Sequence, residues 1–114
     1  MEMLRELPNN QRAEQELLAY IMTNDIALSE TLSELEVEDF YLGRHQLIYS
    51  TISSLYAVGS SINQITLCEA LGAENLKKIT VTYISDLITN SIYVDHKDLI
   101  KIINEWDPVN LLPL

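Results

Sequence analysis

Apolar residues recur along this chain at three- and four-residue steps, the spacing that puts side chains on one side of a helix. Pro8 halts any earlier structure, and Asn9 or Asn10 supplies an N-cap. Behind it, Ala13, Leu17, Leu18 and Ile21 form the stripe of a first helix that ends near Thr23 and Asn24. A second helix, capped by Asp25, carries Ile26, Leu28, Leu32 and Leu35. Glu36–Asp39 suits another helix N-terminus, where the positive end of the backbone dipole favours carboxylates. Phe40, Tyr41 and Leu42 follow as an apolar knot that Gly43 breaks.

From Arg44 the pattern resumes in its most regular form. Leu47, Ile48, Ile52 and Leu55 make the stripe of a third helix, Tyr56 lies beside it, and Gly59 stands at the C′ position. Asn63 caps a short fourth helix with Thr66, Leu67, Ala70 and Leu71, stopped by Gly72. Leu76 and Ile79 lead into a fifth helix, capped by Thr80 or Thr82, whose face is Tyr83, Ile84, Leu87 and Ile88. The stretch from Ile79 to Tyr83 is β-branched and aromatic enough to mimic a strand, but the helical stripe continues past it. Asp95 caps a sixth helix with Leu99, Ile102 and Ile103, its stripe extending towards Trp106, and Pro108 blocks continuation. The expected fold is all-α, a compact orthogonal bundle of about six short helices. Residues 1–7 read as a flexible arm, 8–105 as the domain, and 106–114 as a tail or the start of a following segment.

Composition supports one domain. The 114 residues are 47% apolar, enough for a core, and 3 Gly with 3 Pro are too few for a turn-rich β-protein. The formal net charge of -10 repels phosphate, which argues against nucleic acid as a direct partner and in favour of protein. The cations are scattered: Arg5, Arg12, Arg44, the pair Lys77 and Lys78, and Lys97 with Lys101 on one helical face. The single Cys68 excludes an intrachain disulfide and a cysteine-based metal centre. With no apolar core in Met1 to Leu7 and no run of membrane-spanning length, the chain reads as cytoplasmic.

Chemistry is scarce. Three isolated glycines make no phosphate loop, so no cofactor and no enzymatic activity are expected. His45 and His96 lack carboxylates at the spacing a local metal pair needs, and His45 reads as a half-buried residue with one hydrogen bond. Cys68 sits on the fourth helix as a small apolar residue rather than a nucleophile. The 17 carboxylates read as solvated helix faces. Tyr49 and Tyr56, seven apart, share a face beside the third stripe; they read first as core edge and second as a partner surface.

Several segments together resemble the N-terminal domain of DnaB-type replicative helicases. Leu7-Pro8, Ala13-Glu14-Gln15 and Leu18 resemble its opening "LP-x-x-x-x-AEQ-x-x-L". Glu38-Asp39-Phe40-Tyr41 matches "EDFY", and His45 with Leu47-Ile48-Tyr49 resembles "H-x-x-IF". Ile62, Thr66-Leu67 and Glu69-Ala70-Leu71 resemble "ID-x-x-TL-x-EAL"; Tyr83-Ile84, Leu87 and Asn90 resemble "YL-x-x-L-x-x-N". The ordered set spans Leu7 to Glu105. The resemblance implies a helical head that mediates subunit contacts in a helicase ring and communicates with primase or a loading factor. In that family the ATPase domain follows later in the chain, so helicase activity is not expected of these residues.

Three departures stand out, one of them the absence of the proline that often follows the family's last N motif, before the sixth helix. Asn63 replaces the family's usual Asp, and both cap well. The tail, Glu105-Trp106-Asp107-Pro108 through Leu111-Leu112-Pro113, is unlike the family's linker helix and resembles the "EWDP-x-x-LLP" opening of another small bacterial domain. That leaves an alternative, a helicase-head-like adaptor or regulatory domain of a non-helicase protein. A homodimer is expected because apolar faces on short helices need cover.

Overall fold

The structure is a computed structural model, and it describes residues 6–91 and 96–105. Six α-helices and no strand occur among the described residues: α1 (Glu6–Ile21), α2 (Asp25–Glu34), α3 (Gly43–Ala57), α4 (Gln64–Ile79), α5 (Val81–Thr89) and α6 (His96–Glu105). A 3-10 turn, Val37–Asp39, lies between α2 and α3.

The first helix starts earlier than the proline suggests. Pro8 is the third residue of α1, where its missing N–H would have had no intrahelical acceptor. Neither Asn9 nor Asn10 is therefore the cap, and Glu6 and Leu7 belong to the helix rather than to an arm. Residues 1–5 of that arm lie outside the described residues, as do Asp95, Trp106 and the rest of the tail.

Other boundaries follow local chemistry. Asn24, not Asp25, caps α2: its Oδ1 accepts from the Ala27 N–H at 2.9 Å. Glu36 to Asp39 do not open α3. They close their own turn, with the Glu36 N–H donating to Asp39 Oδ2 at 2.8 Å. Gly59, at φ 76, ends α3 as expected. The Ser60 N–H reaches Leu55 O (3.0 Å) and the Gly59 N–H reaches Tyr56 O (3.1 Å), the paired closure that a left-handed C′ residue permits.

Asn63 caps α4 reciprocally with Thr66, at 3.0 Å in each direction. Gly72 stops the first helical segment of α4 as expected, and a second segment continues beyond it to Ile79. It breaks the run with φ 82 and ψ 164, so Leu76 and Ile79 belong to the second half of α4 and not to α5. Thr80, not Thr82, caps α5, accepting from the Tyr83 N–H at 3.1 Å.

Helix α1 is the centre of the molecule, packing against α2, α3, α5 and α6. Its burial is accordingly broader than one stripe: Ala13, Glu14, Glu16, Leu17, Leu18, Ala19 and Ile21 are all buried, as is Met22 just beyond its end. A helix α3–α4–α5 sequence of neighbours flanks it on one side, and α2 with α6 on the other. The core joins α1 to Leu28, Leu35, Phe40, Ile48, Ile52, Leu67, Leu71, Ile84, Leu87 and Leu99. In α6 the buried pair beside Leu99 is Ile100 and Ile103. Ile102, expected in the stripe, is 47% exposed.

Candidate functional site

Among the described residues, a fully buried charged cluster lies at the junction of α1, α3 and α5. Glu14 and His45 are both fully buried. Glu14 Oε1 lies 2.7 Å from His45 Nδ1, and Glu14 Oε2 accepts the backbone N–H of Tyr41 at 2.5 Å. His45 Nε2 lies 2.6 Å from the Tyr83 hydroxyl, which also accepts from Gln15 Nε2 at 3.2 Å. The Arg44 guanidinium covers the Tyr83 ring at 4.5 Å from its centroid.

With a neutral imidazole at His45 the hydrogen-bond directions fit one arrangement. A carboxylate can only accept, so His45 donates from Nδ1 to Glu14. The Tyr83 hydroxyl accepts from Gln15 and has one proton of its own, which it donates to His45 Nε2. Every polar atom named is thus used, as burial demands. His45 is therefore not the half-buried residue with a single bond that its sequence suggests; it is wholly enclosed with both ring nitrogens engaged.

Carboxylate, imidazole and hydroxyl in series is an order that nucleophilic catalysis also uses. Here the hydroxyl is a phenol that already serves His45 and Gln15. A groove of about 290 Å³ between α1 and α5 is lined by Arg12, Gln15, Glu16, Tyr83, Asp86, Leu87 and Asn90. Glu14 and His45 do not reach it. The arrangement does positional work: it ties three helices and the 40–41 backbone to one buried pair.

Two further polar ties flank α1. Glu16, on the next turn's edge, bonds Arg12 at 2.9 Å and accepts from Ser91 Oγ at 3.3 Å. His96 of α6 reaches Glu30 of α2 at 2.5 Å, with the Tyr20 ring 5.5 Å away. The sequence reading of His96, confined to neighbours on its own helix, had no means of finding Glu30.

The remaining candidates separate. Ala13, Leu18, Phe40, Ile48, Leu67, Leu71 and Leu87 are core. Tyr49 is 1% exposed, stacks on Phe40 at 4.6 Å and donates its hydroxyl to Leu35 O at 2.9 Å. It is interior, not part of a partner surface, and does not share an exposed face with Tyr56, which is 42% exposed. Burial, then Glu36 and Asp39, hold the Tyr49 phenol well above the ordinary tyrosine value. Burial likewise pushes the Cys68 thiol up, which lowers its thiolate fraction near neutral pH. No group of three or more His, Cys, Asp or Glu arranged to hold a metal occurs among the described residues. No described helix is long and apolar enough to cross a membrane.

Comparison with known proteins places this architecture. The family model for the DnaB-like helicase N terminal domain matches residues 6–105. The replicative DNA helicase DnaB of Rickettsia felis is 38% identical over 92 residues, 79% of this chain and 19% of that protein. That of Rickettsia typhi is 39% identical over 92 residues, 79% of this chain and 18% of its own length. Among solved structures, the N-terminal domain of DnaB helicase from Mycobacterium tuberculosis superposes with a TM-score of 0.75 at 26% identity. That match covers 83% of this chain and 71% of the other. The chain spans about a fifth of the length of these curated relatives.

Proposed function

The chain belongs to the family of DnaB-like helicase N-terminal domains, and from that premise we propose that it is a protein–protein interaction module of DNA replication. It associates with a second copy of itself and contacts primase or a helicase loader, in the cytoplasm. The carrying observation is the match over residues 6–105 to the N-terminal part of replicative helicases. These 114 residues span about a fifth of those relatives' length.

The surface chemistry supports a protein partner. A net charge of -10 disfavours a phosphate backbone, and the exposed apolar side chains Tyr56, Val58 and Ile65 flank the α3–α4 connection. Titration calorimetry against the cognate primase C-terminal domain tests the reading. Saturable binding in the micromolar range is expected; no heat at several hundred micromolar would defeat the primase arm. Light scattering at high protein concentration tests self-association, for which a strictly monomeric mass is the contrary result. The adaptor reading is separated by the gene's sequence downstream of Leu114, where a Walker-type ATPase domain supports the helicase and its absence the adaptor.

A further inference from the structure

A single residue, Thr80, joins α4 to α5. Its N–H closes α4 on Leu76 O at 3.0 Å, and its hydroxyl caps α5 at the Tyr83 N–H. The whole change of direction therefore falls on one pair of dihedrals, φ 73 and ψ 145. Thr80 is the one non-glycine residue with positive φ among those described. That region is nearly reserved for glycine, and a β-branched side chain fits it worst. Eight residues earlier Gly72 adopts a similar conformation, φ 82 and ψ 164, without a Cβ to clash. Residues 73–79 are thus a short helical lever between two backbone pivots.

A strained residue persists only where its surroundings hold it. Three residues after Thr80, Tyr83 supplies that hold through His45, Gln15 and the covering Arg44. Ile84 and Leu87 add apolar burial on the same helix. We propose that the α4–α5 elbow is a strained hinge latched by Tyr83, and that α5 releases as a unit while α1 and α3 stay folded. Strain at Thr80 favours release and the Tyr83 bonds oppose it. Release withdraws one wall of the α1–α5 groove, which Tyr83 and Leu87 line from α5 and Gln15 from α1.

Native-state hydrogen exchange on the 114-residue chain tests this. Amides of α5 are expected to exchange at least about tenfold faster than those of α3, through openings with little denaturant dependence. Thr80→Gly and Thr80→Ala both delete the hydroxyl cap, but only glycine relieves the backbone. At an unstrained position alanine protects better than glycine. The hinge requires the reverse, with α5 about tenfold better protected in T80G than in T80A and α3 unchanged. Tyr83→Phe should speed α5 exchange further. The proposal is overturned if α5 exchanges only at the global rate of α1 and α3, or if T80A protects α5 as well as T80G. The glycine–alanine pair decides even if Tyr83→Phe fails to fold.

Discussion

Two glutamate–histidine pairs of nearly equal length join helices of this fold, one α1 to α3 and the other α2 to α6. Glu14 and His45 lie 2.7 Å apart and are fully buried; Glu30 and His96 lie 2.5 Å apart with side chains 47% and 13% exposed. The chemistry is the same and the surroundings differ. Water reaches Glu30, the half-exposed partner of the outer pair, and dissolved salt screens it. Nothing replaces a partner of the inner pair, so losing one strands the other in a medium that solvates charge poorly. Distance alone thus says little about what a pair contributes; enclosure decides.

The largest expected effect breaks the inner pair. His45→Ala should destabilise the fold by about 3–5 kcal/mol, because it leaves a buried carboxylate without its partner. Urea denaturation followed by circular dichroism measures it, and a loss near 1 kcal/mol would mean that the interior tolerates Glu14 alone. Tyr83→Phe keeps the ring under Arg44 but removes the hydroxyl shared by His45 and Gln15. It should cost roughly 1–3 kcal/mol, the usual penalty for unsatisfied buried polar groups.

Tyr49 extends the contrast to alkaline pH. Its phenol is raised in the folded state, so folded protein holds that proton when the unfolded chain has released it. Stability should be unaffected by this group below about pH 10 and then fall by up to about 1.4 kcal/mol per pH unit. Tyr49→Phe should flatten that decline, read as the shift in urea midpoint between pH 9 and pH 11. An unchanged slope would place the alkaline sensitivity elsewhere. The smallest effect is at the outer pair. Glu30→Gln should change stability by no more than about 1 kcal/mol, and any difference from wild type should shrink at high salt.

The helices were largely legible because their signals are local. Asn63, Gly59 and Gly72 act through backbone groups within a few residues, and the structure uses all three for their conformations. Pro8 misleads because proline's missing donor matters only when an acceptor waits four residues back, and none does in a first turn. Ile102 misleads because an apolar residue gains nothing at a position that faces water.

The buried site was legible only in pieces. Glu14, Gln15, His45 and Tyr83 each stand out as family-motif positions, yet Glu14 and His45 are 31 residues apart and His45 and Tyr83 are 38 apart. No periodicity encodes a contact of that range. Read singly, Glu14 is one of 17 carboxylates and belongs on a solvated face. Only the packing of α1 between α2, α3, α5 and α6 puts it inside.

The amino-acid order by itself determined the all-helical class, several helix ends and the family of the domain. Those properties depend on spacing along one chain, which the sequence states directly. Tertiary structure alone decided that Glu14 and His45 are both enclosed, that Glu30 is half-exposed beside His96, and that Thr80 must turn the chain in one residue. Each of these depends on which helix covers which. That is a balance of burial and desolvation over residues far apart, which no local pattern expresses.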